Sequence, residues 1–425
     1  MSHITTVISL ATLFGDDAAV VRDRSFQLLL LANLSPPLGT ALVSPLLDTL
    51  VGPYGVGEAR IGLFLTAFTA PSIVLIPLVG VLADRIGRKG VIAGGLLCFG
   101  IGGIGLAFTT NFRIALALRL LQGVGFAGLT PVIVTSLGDL YHGGAEATAQ
   151  GLRFASSGFT LMTFPLIAGT LVAFGWRYPF FLYGIAIPTA ALIVLFFEEP
   201  MSERAMRESD RTDLTDLFGF VRQPRVAAVL VGRAVPNFLY IAFLTYNSFV
   251  VVRIIGGDPG EAGLLITAAS VMHAVSATQA GRLTALFASR LYPLLGANLS
   301  MAGGLALVGA AGSLPIALAG AAGVGLGFGT SLSLYRSVIT GFSAESLRGG
   351  VVGVGAALGR VAATFAPILM GYTVATAEPI VGFDLAVRGT VTAVGVLCGA
   401  IGIGCLLIAR WSPAVEAGGE RPARA

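Results

Sequence analysis

Apolar runs of about 20 residues recur from one end of this chain to the other, each long enough to cross a hydrocarbon layer about 30 Å thick. In lipid, backbone N–H and C=O groups must be satisfied inside a helix or in a closed barrel. Barrel strands alternate apolar and polar residues, and these runs do not. The sequence therefore predicts an all-α polytopic membrane protein. With 55% hydrophobic and 11% charged residues, and a mean hydropathy of +0.87, a soluble domain is excluded. The 58 glycines suit helices whose backbones approach closely in lipid.

Twelve spans are predicted, at 26–47, 59–82, 90–109, 112–138, 147–173, 179–197, 226–252, 261–285, 291–312, 315–340, 350–374 and 385–409. One long charged break, Glu198 to Arg225, divides them six and six. The expected organisation is a tail (1–25), a six-helix bundle (26–197), a linker with a surface helix (198–225), a second bundle (226–410) and a tail (411–425). The opening segment has no basic leader and no small-residue cleavage site, so it reads as a tail rather than a secretory signal.

Orientation follows from the basic residues. With the N-terminus inside, cytosolic segments hold Arg22, Arg24, Arg85, Arg88, Lys89, Arg204, Arg207, Arg211, Arg222, Arg225, Arg290, Arg348, Arg410, Arg421 and Arg424. Outer loops hold only Arg60, Arg113, Arg177, Arg253 and Arg388. Both termini are expected in the cytosol of a cell-membrane protein. The net charge of +4 thus reports topology and not nucleic-acid binding. Cys98, Cys398 and Cys405 all fall inside apolar runs, spaced for neither a metal site nor a disulfide frame.

The two halves repeat at an offset near 200. "GVG" at Gly123 recurs at Gly323, Pro165 aligns with Pro367, Glu146 with Glu345, and Gly80 with Gly281. Repeated halves are a signature of secondary transporters, with the site between them.

The segment "GVLADRIGRK", Gly80 to Lys89, sets Asp84, Arg85, Arg88 and Lys89 between two apolar runs. Together with "RLLQGVG" from Arg119 and "LGTALVSPLLD" in the first span, it resembles the major facilitator superfamily over roughly residues 25–410. In motifs the chain is closest to twelve-span drug:proton antiporters. It departs from them at Asp48, where a second proline is usual, and at Thr160, Phe164 and Ala168, where glycines are usual. The resemblance implies two pseudo-symmetric six-helix bundles and transport by alternating access. It also implies a gating role for Gly80, Asp84, Arg85, Gly87, Arg88 and Lys89, with Asp139 and Glu146 as partners of the basic residues. Asp84 is expected to accept hydrogen bonds at the start of the eleventh span, with Gly80 and Gly87 allowing close approach.

Ionisable side chains inside the hydrocarbon are costly and so are functional candidates. Arg119, Arg233 and Arg360 stand within spans, as do the polar Asn33, Gln122, Asn237, Tyr240, Asn247, His273 and Gln279. These are the cavity and substrate candidates. No Asp or Glu falls mid-span, and all 22 acidic residues lie in loops, tails or span ends. Asp48, Arg119 and His273 are the coupling candidates, though Asp48 also reads as a solvated helix end and His273 as a hydrogen-bonded packing residue.

There is no Gly-x-x-x-x-Gly-Lys-Ser/Thr phosphate loop, no nucleophile elbow and no zinc helix. ATP drive and enzymatic chemistry are therefore not expected, nor is a cofactor or metal. The expected function is secondary active transport of a small organic solute, as proton-coupled efflux. The alternatives are an organic-anion transporter that uses cavity arginines, and a transport-dead sensor or lipid-handling protein on the same fold. The expected partners are the solute, a coupling ion and the bilayer, with the protein a monomer.

Overall fold

The structure, a computed structural model, describes residues 18–199, 214–287, 289–342 and 345–412. Arg204, Arg207, Arg211, Arg421 and Arg424, with most of the predicted tails and linker, lie outside the described residues. Twelve helices are long and apolar enough to span a membrane. They are α1 (Arg24–Tyr54), α2 (Glu58–Ile86), α3 (Arg88–Phe108), α4 (Phe112–Leu140), α5 (Gly144–Phe174), α6 (Tyr178–Phe196), α7 (Pro224–Ile255), α8 (Pro259–Ala285), α9 (Leu291–Ala310), α10 (Leu314–Gly341), α11 (Leu347–Val381) and α12 (Phe383–Trp411). A short helix, Leu214–Val221, precedes α7 and sets Leu217 against Gly350 of α11. Large apolar side chains such as Val74, Ile101, Leu195 and Leu397 stay exposed on the outside of the bundles, as a lipid-facing surface requires.

Two spans are irregular, each for a readable reason. Pro36, Pro37 and Pro45 have no N–H to donate, and α1 breaks into Arg24–Ala32, Ser35–Ala41, a 3₁₀ turn at Ser44–Leu46, and Leu47–Tyr54. The last turn of α7, Val250–Ile255, widens into a π-helix that re-aims its side chains, Arg253 among them.

Glycines set the packing within each half, and they do so twice. A Cβ added to Gly102 would lie 2.7 Å from Leu118 O across α3 and α4, and one on Gly304 would lie 2.6 Å from Gly320 O across α9 and α10. Gly123 faces Phe68 O as Gly325 faces Ala269 O, and Gly125 faces Gly95 O as Gly327 faces Ala297 O. These contacts correct the sequence pairing of Gly123 with Gly323. The register between α4 and α10 is 202, so the partner of Gly123 is Gly325, while the pairing of Pro165 with Pro367 already has that offset.

The halves meet through α2 with α11 and α5 with α8, and these interfaces are again copies. The Thr66 hydroxyl donates to Thr364 O at 3.0 Å, and the Thr267 hydroxyl donates to Met162 O at 2.6 Å. Gly371 lies on Ala59 O as Gly169 lies on Pro259 O, and Gly62 lies on Pro367 as Gly263 lies on Pro165. The pseudo-twofold axis passes between α1 and α7, where Ser44 bonds Leu244 O and the Asp48 N–H bonds Ser248, near-equivalent positions of the two repeats.

Candidate functional site between the halves

Among the described residues, every hydrogen bond and ion pair that crosses between the halves lies toward the side away from the chain ends. The outermost is ionic. Arg253, on the π turn, pairs with Asp48 of α1 and Glu58 of α2. The Asp48 side chain is only 11% exposed, which corrects the expectation of a solvated helix end. Next inward, Asn247 donates to Ser44 at 2.8 Å while the Ser44 hydroxyl donates to Leu244 O at 2.5 Å. Asn247 is therefore part of the far-side closure between the halves, and its own Oδ1 is buried without a partner. The innermost crossings are Thr364 to Thr69 at 3.1 Å and Ser270 to Leu161 O at 3.2 Å. Beyond them, toward the chain ends, no described hydrogen bond joins α2 to α11 or α5 to α8. The described bonds between the two halves are thus confined to the far side, and none lies on the termini side.

The charged loop segment sits at the termini side, and its wiring differs from the expectation. Arg88 pairs with Asp139 at the foot of α4. The side chain of Asp84 is 67% exposed, 4.0 Å from Arg88, and among the described residues it has no hydrogen bond to α11. The carboxylate that caps a helix here is Glu199, just past α6. It accepts from the backbone N–H groups of Arg88 and, at 2.9 Å, Lys89, the first residues of α3, where a negative charge also meets the helix dipole. Gly87 makes room for it: its φ is +88°, and an added Cβ would lie 3.2 Å from the Glu199 carboxylate. Gly80 has open space beside it, so its smallness serves no contact in this conformation. Glu146 lies against Gly138, and neither it nor Arg85 nor Lys89 forms an ion pair among the described residues.

Arg119 and Gln122 do not reach the gap. Arg119 is fully buried inside the first half. It donates to Phe64 O at 2.9 Å and Gly39 O at 2.8 Å, bonds Gln122 at 2.5 Å, and lies 4.6 Å from the Phe68 ring centre. The break in α1 after Ala41 leaves Gly39 O outside the helical ladder, while Phe64 O lies within a regular turn of α2 and offers its second lone pair; a planar fork fits both. Its expected place in the cavity is corrected: it ties α1, α2 and α4 together. Asn33 likewise stays within the first half, donating to Arg153 O, Ser156 and Ser157 of α5.

In the second half, Tyr240 stacks on Phe328 with ring centres 4.3 Å apart, and His273 meets the same ring edge-on at 5.0 Å. The imidazole has no hydrogen bond among the described residues, so packing on an aromatic ring replaces the expected hydrogen-bonded role. Asn237 caps Arg233 O at 3.2 Å and faces Gly359 of α11. Gln279 is tied to Arg282 at 3.0 Å.

Arginines gather on the termini side of the innermost crossings. Arg233 lays its stem against Gly355 of α11, whose added Cβ would be 3.1 Å from its Cδ, and Arg360 and Arg336 are near enough for their charges to act on it. Arg336 also acts on Arg153 of α5, across the gap. Arg153 is held by Gln150 at 3.0 Å and rests on Phe154 at 4.2 Å. The sequence reading did not single out Arg153, although an arginine six residues inside a predicted span carries the same signal as Arg233.

A family model described as the Major Facilitator Superfamily matches residues 29–255. The bacillibactin exporter of Bacillus subtilis (strain 168) is 31% identical over 150 residues, 34% of this chain and 37% of that protein. The multidrug transporter protein MdtP of the same organism is 26% identical over 45% of this chain and 35% of its own. The quinolone resistance protein NorA of Staphylococcus aureus is 27% identical over 38% and 42%. The matched stretch thus spans well under half the length of these relatives. Among solved structures, a bacterial homolog of the human lysosomal transporter Spinster, inward-facing and unoccupied, overlays with a TM-score of 0.75 at 16% identity, covering 94% of this chain and 99% of that one. A D-xylose-proton symporter overlays at 0.69 and 16%, covering 92% and 98%.

Proposed function

The chain belongs to the major facilitator superfamily, and from that premise we propose that it is a secondary active exporter of a small organic solute. It works as a monomer in the cell membrane with both termini in the cytosol, and it exchanges the solute for protons. The observation that carries this reading is the pair of duplicated interfaces, bonded on the far side and without described bonds on the termini side. Two rigid halves joined in this way can rock about the interface and present the gap to either side in turn. The exporters of siderophore, drug and quinolone among the relatives favour the outward direction. The positive-inside bias favours cytosolic termini, so the side without described bonds faces the cytosol.

Coupling is assigned to Asp48 and Glu58. They are carboxylates next to the transport path whose protonation would release Arg253. His273, beside the path on Phe328, is the second candidate. The loop segment from Gly80 to Lys89 is assigned to the opposite closure: when the cytosolic side shuts, Asp84 and the open space at Gly80 receive α11. The test is flux from proteoliposomes of defined orientation with an imposed pH gradient. An acidic exterior should drive solute outward, and collapse of the gradient by a protonophore should stop it. Flux that ignores the gradient refutes proton coupling, and no flux of any solute refutes transport.

A further inference from the structure

The termini side is lined by a charge set of one sign. Arg153 comes from the first half, and Arg233, Arg336 and Arg360 come from the second. Counting along the helices at about 1.5 Å per residue, Arg153 and Arg233 each stand nine residues inside their spans, about 14 Å deep. Arg360 is thirteen residues inside α11 and Arg336 five from the end of α10. Among the described residues no carboxylate pairs with any of the four. Arg233 packs its stem on Gly355 of α11, about one and a half turns from Arg360. Arg153 is 7% exposed, and its one described polar partner is the neutral Gln150.

Like charges gathered at one mouth repel, and of the four Arg153 is buried while Arg336 is exposed. Each guanidinium also has five donors that suit planar oxyanions, and among the described residues the side chains of Arg233, Arg336 and Arg360 have no hydrogen-bond partner. A cation would be repelled by this wall, and a neutral solute would leave the arginines uncompensated. We propose that the gap binds an organic solute bearing two or more anionic oxygen groups, carboxylate or phosphate, bridged between Arg153 of one half and Arg233, Arg336 and Arg360 of the other. Because the ligand ties the halves together on the side where the protein itself makes no described bond, its binding draws that side closed. This substrate class rests on the exporter reading above, but its test does not require transport.

The experiment uses the full chain in nanodiscs of zwitterionic phosphatidylcholine at low salt. The probes are benzene-1,3,5-tricarboxylate, the neutral triamide of the same ring, and benzyltrimethylammonium, each titrated for thermal stabilisation, which follows binding by mass action. The expected result is saturable stabilisation by the tricarboxylate alone, weakened about tenfold or more in each of Arg153→Gln, Arg233→Gln and Arg360→Gln. Arg290→Gln, whose arginine bonds Ser337 O on the loop side, should bind as the parent does. Should one of the three variants fail to fold, the other two decide. Equal stabilisation by the neutral or cationic probe, or anion binding that survives all the cluster variants, overturns the proposal. A second arm adds phosphatidylglycerol to the nanodiscs. Retention of that lipid through the same arginines, with no response to the free tricarboxylate, also overturns it and gives the site to a headgroup. Anion binding without flux would leave this inference standing and remove the exporter reading. Flux of neutral solutes without anion binding would do the reverse.

Discussion

Replacing Arg253 by Gln should open the far side. Among the described residues the guanidinium is the one group that pairs with both Asp48 and Glu58, and it reaches them from the other half. Its side chain is 33% exposed, against 11% for Asp48 and 22% for Glu58, so the bonds are neither fully wet nor fully dry. A hydrogen bond to a charged group contributes about 1.5–3 kcal/mol when buried, and an exposed ion pair about 0.2–1 kcal/mol. An intermediate figure of about 1 kcal/mol for each pair gives about 2 kcal/mol for the two. At 1.4 kcal/mol per factor of ten, the ratio of far-side-closed to far-side-open molecules should fall about 30-fold. The two carboxylates left beside each other both belong to the first half, so their repulsion does not itself part the halves. The cation–π contacts of Arg253 with Phe249 and Phe383 lie within the second half and do not bias the equilibrium. Spin labels at Gly57 and Thr376, on a background with the three cysteines replaced, report the separation of α2 and α11 at that mouth by pulsed dipolar spectroscopy. The parent should give one short distance and the variant a second, longer population. Asp48→Asn combined with Glu58→Gln should reproduce it. An unchanged distance distribution in Arg253→Gln would refute the assignment of these pairs to the closure.

Three further outcomes follow from the same contacts. Asp139→Asn should lower the melting temperature by breaking its pair with Arg88, while Asp84→Asn should leave it unchanged and slow transport, since Asp84 is solvated here; equal melting shifts in a thermal scan would contradict this. Arg119→Lys should destabilise the protein by about 1–3 kcal/mol for each backbone carbonyl it orphans, because an ammonium cannot span Phe64 O and Gly39 O; a variant as stable as the parent by differential scanning fluorimetry would refute that. Gly169→Ala and Gly371→Ala should shift the label distances in the same direction, each at a cost of about 1–3 kcal/mol from overlap with the facing backbone; a response from only one would break the equivalence of the two interfaces.

Span number and type were legible because lipid leaves the backbone few options, and each of the twelve helices overlaps one predicted run. The repeat was legible too, but its register was not. A "GVG" string matched by eye sat two residues from the true equivalence, because only the facing carbonyls distinguish one glycine from the next in a glycine-rich helix. The site was partly readable. Arg233 and Arg360 were visible as charges inside apolar runs, and Arg153 carried the same signal. Depth alone could not say that Arg119 turns inward to backbone carbonyls of two other helices. Glu199 was invisible for a different reason: its role depends on a loop returning over 110 residues to the start of α3, and a Glu at a helix end has no local mark that it caps another helix. Asp48 is a coupling candidate by sequence and Arg253 only an outer-loop charge, and nothing in the sequence places them on facing sides of one axis.

The two hydroxyl bonds from Thr66 to Thr364 and from Thr267 to Met162 fix the mechanics of the molecule. They lie on opposite sides of the twofold axis at matching depth, like two pins of one hinge. A rigid body held at two points retains a single rotation, about the line through them. Sliding one half past the other, or twisting it about the membrane normal, would break at least one pin. Tilting breaks neither, and it lowers one mouth by the amount it lifts the other.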